Sequence, residues 1–413
     1  MAVFKPFRAY RPIPNKAGAV ASRPYDVLNS SEAREEVRGN PDSFLHVIKP
    51  EIGLNEDVNP YADKVYKQGA DVFAEFIEKG ILFQDSKPHF YIYRLTMNNR
   101  TQTGVVGCCH FEEYYEGKIK KHELTRTAKE EDRVKHVAAL NANSEPVFFS
   151  YRESLQINNL ICQIVSEPSE YDFVADDQVR HELWVVKDEP MIANFESLFE
   201  EVPVLYVADG HHRTAAAARI GQQRKESNPS HTGAEEYNLF LAVLFSDQEL
   251  EIFDYNRVIK DLNGLTEDEF ITKLKKICVL INESIDPIKP SIKGDFSVFI
   301  NEKWYSFRPI DKIDNNDPIL DLDVTYLSSK ILDPILGIKD QRKDERIDFV
   351  GGIRGLKELE KRVNSGEMTV AFALYPVSMD ELLAVADAGE IMPPKSTWFE
   401  PKLRSGLFIH DLE

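Results

Sequence analysis

A chain of 413 residues that is 42% apolar and 29% charged has an ordinary globular balance, which excludes wholesale disorder and a fibrous class, and its length exceeds what one hydrophobic core supports. Its 50 basic against 69 acidic side chains leave a net charge of -19; such a surface repels phosphate backbones, so nucleic-acid binding is not expected and an anionic ligand must be drawn to one concentrated positive spot. The opening residues hold no apolar core of signal-peptide length and no run of about 18 uncharged apolar residues occurs, so a cytoplasmic chain with no membrane partner is expected.

In chain order, the first fifty residues are rich in proline and arginine (Arg8, Arg11, Pro12, Pro14, Arg23, Pro24) and read as extended or looping chain. Residues 61 to 80 place Tyr61, Val65, Ala70, Phe73, Phe76 and Ile77 near one face, which predicts an amphipathic helix stopped by Gly80. The runs 89–97 and 103–111 are β-prone and flank the turn-like Asn98-Asn99-Arg100, a hairpin pattern. A helix is expected over 127–141, strands over 146–152 and 182–188, and a short helix over 191–201. An apolar strand at 203–208 then runs into Asp209-Gly210 and a helix expected to end at Gly221. Residues 239–245 read as a buried strand and EIFDYNRVI (251–259) as another. Thr266 with an acidic first turn opens a helix and, from about 262, a separate lobe; there 297–309 and 368–377 look extended and Ser378 starts a further helix. The mixed-sign run Asp340 to Asp348 reads as an exposed helix face. Cys108, Cys109, Cys162 and Cys278 contain no Cys-x-x-Cys, so they read as free thiols and argue neither a disulfide framework nor a zinc site.

The chemistry concentrates where the strand at 203–208 meets its helix. Unpaired N–H groups and the helix dipole at such a junction attract an anion. Here the junction is Asp209-Gly210-His211-His212-Arg213-Thr214. Gly210 permits a tight turn, Arg213 offers a planar fork, Thr214 a hydroxyl, and His211 and His212 imidazoles that donate or shuttle a proton near neutral pH. Asp209 either caps the helix, orients an imidazole or holds Mg²⁺. Two histidines side by side cannot readily point at one metal, so zinc is not expected. A second positive stretch runs from Pro393 to Gly406, where Lys395, Ser396, Lys402 and Ser405 are candidates to wall an anionic ligand.

The chain resembles the domain of unknown function 1015 family in four ordered blocks: FRAYRPIPNKAGAVASRPYDVLN, KHELTRTAKEEDRVKHVAALNANSEPVFFSY, ADGHHRTAAA and MPPKSTWFEPKLRSGL. Around the Asp-Gly-His-His-Arg turn that family is similar to the ParB and sulfiredoxin superfamily, which places nucleotide phosphates on such a turn. The chain also resembles the archaeal free serine kinase in an early His-Glu pair and a later Asp-Gly-His-x-Arg turn. These resemblances imply that Glu123, beside His122, is a general base for an attacking hydroxyl, and that His211 and Arg213 steady the transferred phosphoryl group. Arg23, Tyr25 and Asp26 belong to the family pattern too, and with His122 are the substrate-side candidates.

The resulting expectation is an α+β fold with a ParB/sulfiredoxin-like nucleotide-binding core and flanking N- and C-terminal α/β elements. Residues 1–120 form an N-terminal α+β segment, 121–261 the core with the turn, and 262–413 a C-terminal lobe whose last loop returns to the site. The expected function is a small-molecule phosphotransferase, a kinase of free L-serine or a similar hydroxylated metabolite using ATP or ADP with Mg²⁺. Two other readings stay open. One is the reverse chemistry, a phosphoserine phosphatase; the other is a non-catalytic, nucleotide-gated ParB-like binding protein in which the nucleotide closes a homodimer.

Overall fold

The computed structural model describes residues 2–311 and 317–413. They divide into two compact units, Met1–Leu250 with Pro401–Glu413, and Glu251–Glu400, each mixing helices with β-sheet.

In the first unit a nine-stranded sheet runs Ile119–Lys120, Leu205–Asp209, Val147–Tyr151, Leu239–Ser246, Arg100–His110, Phe90–Met97, Arg180–Val186 and Tyr171–Val174, with Phe4–Lys5 added against Arg100–His110. The hairpin at its centre is the predicted one. Asn98 (φ 51°) and Asn99 (φ 64°) both take left-handed conformations, which match the twist of the strands they join. Leu239–Ser246 is buried along nearly its whole length because strands pair on both sides of it, antiparallel to Arg100–His110 and parallel to Val147–Tyr151. The segment boundary drawn at 120 falls inside this sheet, since Gly104 to His110 pair with Leu239 to Phe245.

Three helices layer beside the site. Thr127–Leu140 packs between Asp63–Glu78 and His211–Ser227, and Val134, Ala216, Ile220 and Leu412 share a small core there. Asp63–Glu78 ends where the sequence predicts, with Gly80 at φ +66°. His211–Ser227 does not stop at Gly221. That glycine is buried inside the helix, and a Cβ on it would stand 2.6 Å from the Phe111 ring, so its lack of a side chain serves packing and not termination.

The first fifty residues are more helical than their prolines imply. Asn29 and Glu32 form a reciprocal capping box that starts Ser30–Glu36, and Leu45–Ile48 is a buried turn of helix. Arg11 anchors the segment: its guanidinium is buried and bonds Asp85 at 2.7 Å and Glu170 at 2.6 Å.

The second unit holds a six-stranded antiparallel sheet in the order Cys278–Ser284, Lys303–Pro309, Phe296–Ile300, Val370–Leu374, Tyr255–Ile259, Ile347–Gly351. Thr266 and Ser378 each head a helix with a capping box, as read from the sequence. The stretch 251–259 is two strands, Ile252–Phe253 and Tyr255–Ile259, which pair with different partners. Residues 340–348 form turns leading into Ile347–Gly351, not a helix; Arg346 bonds the Leu336 and Gly337 carbonyls and ties the turns down. All four cysteines are free, Cys162 exposed and the others buried. No helix among the described residues is long and apolar enough to cross a membrane.

Candidate active site

The strand Leu205–Asp209 pairs antiparallel with Val147–Tyr151, but the register slips between Val207 and Asp209, a bulge that skips Ala208. A bulge at a strand end re-aims the residue after it, here Asp209. Gly210 then takes φ +87°, ψ 33°, a left-handed conformation open to glycine at no steric cost, and becomes the N-cap of His211–Ser227. No side chain caps this helix. Gly210 has no side chain to cap the helix, and the dipole at its start favours negative charge. Lys402, from the returning segment 401–413, puts its ammonium 3.5 Å from Asp209.

Two side chains of the turn point elsewhere than the sequence implies. Arg213 is buried at 7% exposure, donating from Nη1 to the Pro146 carbonyl at 2.5 Å and from Nη2 to Asp209 at 3.2 Å. Its guanidinium lies beneath Gly210, 3.2 Å from where a Cβ would stand. The fork thus braces the turn from inside. Thr214 is fully buried, and its hydroxyl donates to the Gly210 carbonyl at 3.0 Å, which removes it from the surface of the seat.

The residues on either side of Glu123, His122 and Arg126, meet the turn. The His122 and His211 rings meet edge to face with centroids 4.5 Å apart, and the Arg126 backbone N–H donates to His212 Nε2 at 3.0 Å, which fixes the proton of His212 on Nδ1. Residues 122–126 are thereby laid along Asp209–His212, with Glu123 half-buried among them. Burial drives the His122 imidazole down to about 4, against the opposing pull of Asp209 and of a hydrogen bond with Val207. Burial, helped by His122, drives His211 well below its ordinary value. Both rings are neutral at pH 7. The positive charge at this turn comes from Lys402, the Arg213 guanidinium beneath Gly210 and the helix end, not from the His122 or His211 ring. His211 Nε2 is buried without a hydrogen-bond partner, a polar atom whose desolvation the fold leaves uncompensated.

Beneath the turn lies an ionic cluster that the sequence reading passed over. Arg133 pairs with Asp132 at 2.7 Å and Glu145 at 3.2 Å and stacks 3.9 Å from the centroid of Tyr25. Glu145 accepts from the Tyr25 backbone N–H at 3.2 Å and from the Ser405 hydroxyl at 3.4 Å. Asp26, Asp209 and Glu145 in turn hold the Arg213 guanidinium in its charged form against burial. Tyr25, Asp26 and Ser405 therefore join this cluster, while Arg23 turns away to Glu36. Asp132, Arg133 and Glu145 stand in a quoted family block, but Asp132 and Arg133 sit in a charged run that looks like solvated helix surface, and Glu145 stands in the polar stretch after it. Packing on both sides of Thr127–Leu140 buries Asp132 and Arg133.

Lys395 and Ser396 belong to the second unit. Lys395 has φ +58° and its ammonium stands 5.8 Å from the Tyr255 ring centroid; the Ser396 hydroxyl donates to the Pro393 carbonyl at 2.6 Å and is 7% exposed. Among the described residues no group of three or more His, Cys, Asp or Glu is arranged to hold a metal ion. Asp209 is one carboxylate with Arg213 and Lys402 already beside it. A single carboxylate of this kind holds Mg²⁺ together with substrate phosphates and not by protein ligands alone.

The family described as protein of unknown function (DUF1015) matches residues 4–325. No curated protein matches the chain. Among solved structures it is similar to a free serine kinase in complex with AMP, at 14% identity over 73% of this chain and 91% of that one, with a TM-score of 0.36. It is similar also to a conserved hypothetical protein from Pyrococcus furiosus (16% identity, 73% and 93% covered, TM-score 0.33). A third is SbnI with C-terminal truncation from Staphylococcus aureus (10% identity, 73% and 85% covered, TM-score 0.38). With TM-scores below 0.5 all three likenesses are distant.

Proposed function

This chain belongs to the DUF1015 family, and we propose that it is a small-molecule phosphotransferase in which the turn at 209–212 seats a phosphoryl group while Glu123 activates a hydroxyl. The carrying observation is the left-handed turn at Gly210 that opens the helix His211–Ser227, with Lys402 against Asp209 and with His122 and Arg126 in contact with His211 and His212. Backbone N–H groups, a helix dipole and one ammonium would supply the charge stabilisation that phosphoryl transfer needs, and Glu123, between two residues that contact the turn, the base.

In this proposal the fold around the turn is a ParB/sulfiredoxin-like nucleotide-binding core, the donor is ATP or ADP, and the acceptor is free L-serine or a similar hydroxylated metabolite. Mg²⁺ enters with the nucleotide as part of the substrate, neutralising phosphate charge, since Asp209 is a single carboxylate. The acceptor oxygen attacks the terminal phosphorus, the bridging P–O bond breaks, the hydroxyl proton passes to Glu123, and the shortened nucleotide leaves. His211, neutral, is placed to donate or accept one hydrogen bond through its orphaned Nε2.

The test is direct. Full-length protein with L-serine, Mg²⁺ and ATP or ADP is expected to yield phosphoserine, and Glu123→Gln to lower turnover by about a hundredfold or more while leaving nucleotide affinity within about threefold. No product with any hydroxylated amino acid, or unchanged turnover in Glu123→Gln, would sink the proposal. Phosphate released from phosphoserine without nucleotide would move it to the reverse chemistry.

A further inference from the structure

Beside the ionic cluster, the first unit contains a cavity of about 410 Å³ walled by residues 25–30, 48–51, 60–66 and the helix Thr127–Leu140. Six of its lining residues are charged, Asp26, Glu51 and Asp132 against Lys49, Lys129 and Arg133, so it is neutral within a chain that carries -19 overall. Four of the six neutralise one another: Lys49 with Glu51 at 3.2 Å and Arg133 with Asp132 at 2.7 Å. His136, also in the wall, is neutral because burial pushes it down to about 3. Asp26 and Lys129 remain. Neither side chain has an ion pair or hydrogen bond among the described residues, and both line the same cavity.

We infer that this cavity holds a small zwitterion, an α-amino acid with a hydroxyl side chain, whose ammonium is received by Asp26 and whose carboxylate is received by Lys129. One opposite charge at each end discriminates against plain acids and plain amines, because each leaves one protein charge facing an uncharged group. The Tyr66 hydroxyl, which also lines the cavity, donates to Asp132 at 3.0 Å and keeps a lone pair for a ligand donor. Two links join the cavity's lining to the residues of the turn. Lys129 lies in the first turn of the helix that follows Glu123, and Asp26 is the carboxylate that acts most strongly on Arg213, the brace under Gly210.

The substrate class rests on the phosphotransferase proposal, but the cavity's occupant is tested by binding alone, without nucleotide. Calorimetric titration of full-length protein with L-serine is expected to give saturable binding, at least tenfold tighter than with L-serinamide, which lacks the carboxylate, or 3-hydroxypropionate, which lacks the ammonium. In Lys129→Gln the preference over L-serinamide disappears, and in Asp26→Asn the preference over 3-hydroxypropionate disappears. Lys129→Arg, which keeps the charge, holds L-serine affinity within about threefold. Circular dichroism confirms that each variant is folded. No L-serine binding up to about 10 mM, wild-type binding that ignores both missing groups, or Asp26→Asn and Lys129→Gln variants that still discriminate would each overturn the assignment. Retained, discriminating L-serine binding without any phosphoserine would uphold this cavity and defeat the phosphotransferase proposal.

Discussion

Gly210 combines φ +87° with the Arg213 guanidinium 3.2 Å from its absent Cβ, and both facts act on the same substitution. Gly210→Ala carries a left-handed penalty of about 1–2 kcal/mol and pushes against the brace. It is expected to lower unfolding free energy by roughly that amount in a denaturant titration and to weaken nucleotide binding, while Gly210→Asn, which tolerates this conformation, loses less. Equal losses for Ala and Asn would mean that backbone strain is not the cause. Arg213 gives a sharper contrast. A ligand-gripping arginine changed to lysine loses affinity with little change in stability. A brace bonded to Pro146 and Asp209 loses stability first, because lysine cannot serve both acceptors with one geometry. Arg213→Lys is therefore expected to cost about 1–3 kcal/mol of stability. A variant as stable as wild type, but with nucleotide affinity lost, would return Arg213 to the ligand. Sequence identifies Arg213 by type and position, but the direction of a buried fork depends on Pro146, 67 residues earlier in the chain, and no local pattern encodes that contact.

Signals in the chain are legible in the sequence where their physics is local. The Asn98-Asn99 turn, the Thr266 and Ser378 capping boxes and the Gly80 stop each depend on residues within a few positions of one another, and each stands where the sequence puts it. Gly221 failed because its meaning is tertiary. A glycine after a run of alanines looks like a terminator, yet this one is where Phe111 meets the helix His211–Ser227. Gly221→Ala tests the difference. As a helix-interior change it should gain up to about 1 kcal/mol of propensity. With Phe111 1% exposed and nowhere to move, overpacking of about 1–3 kcal/mol outweighs that gain. A net loss of stability is expected in chemical denaturation, and a stabilised variant would show that the ring yields. The same tertiary logic hid Asp132 and Arg133: Thr127–Leu140 lies between two helices, and a doubly covered helix buries charges that its sequence would leave in water.

At the scale of the whole chain, the two units are expected to respond to pH with opposite sign. All ten histidines fall in the first unit, outside Glu251–Glu400. Burial pushes His122 to about 4, His136 and His181 to about 3, and His211 well below the ordinary value. Their folded values lie below the unfolded value of about 6.5, so as pH falls from about 6.5 toward 4 the unfolded chain binds protons that the folded unit refuses, and stability is lost. Each such group contributes a slope approaching about 1.4 kcal/mol per pH unit; Glu113 and Glu145, raised by burial, offset part of it. In the second unit the dominant group between pH 5 and 7 is Asp323, which burial raises to about 7 although both its oxygens accept from the Gly294 N–H. Its folded value lies above the unfolded value of about 3.9, so the folded unit holds a proton that the unfolded chain has released, and stability falls as pH rises from about 4 to 7. Trp304 and Trp398 belong to the second unit and Trp184 to the first, which makes the units separable by fluorescence. In Trp184→Phe protein, the denaturant midpoint read from tryptophan emission is expected to rise between pH 7 and pH 5. Replacing Asp323 with asparagine should flatten that dependence, because no proton is then exchanged at the site. Hydrogen exchange over Leu205–Asp209 and His211–Ser227 should show the reverse trend over the same range, with protection falling as the buried imidazoles are challenged. A second-unit midpoint that drops on acidification, or an Asp323→Asn profile as steep as the parent, would rule out Asp323 as the controlling group.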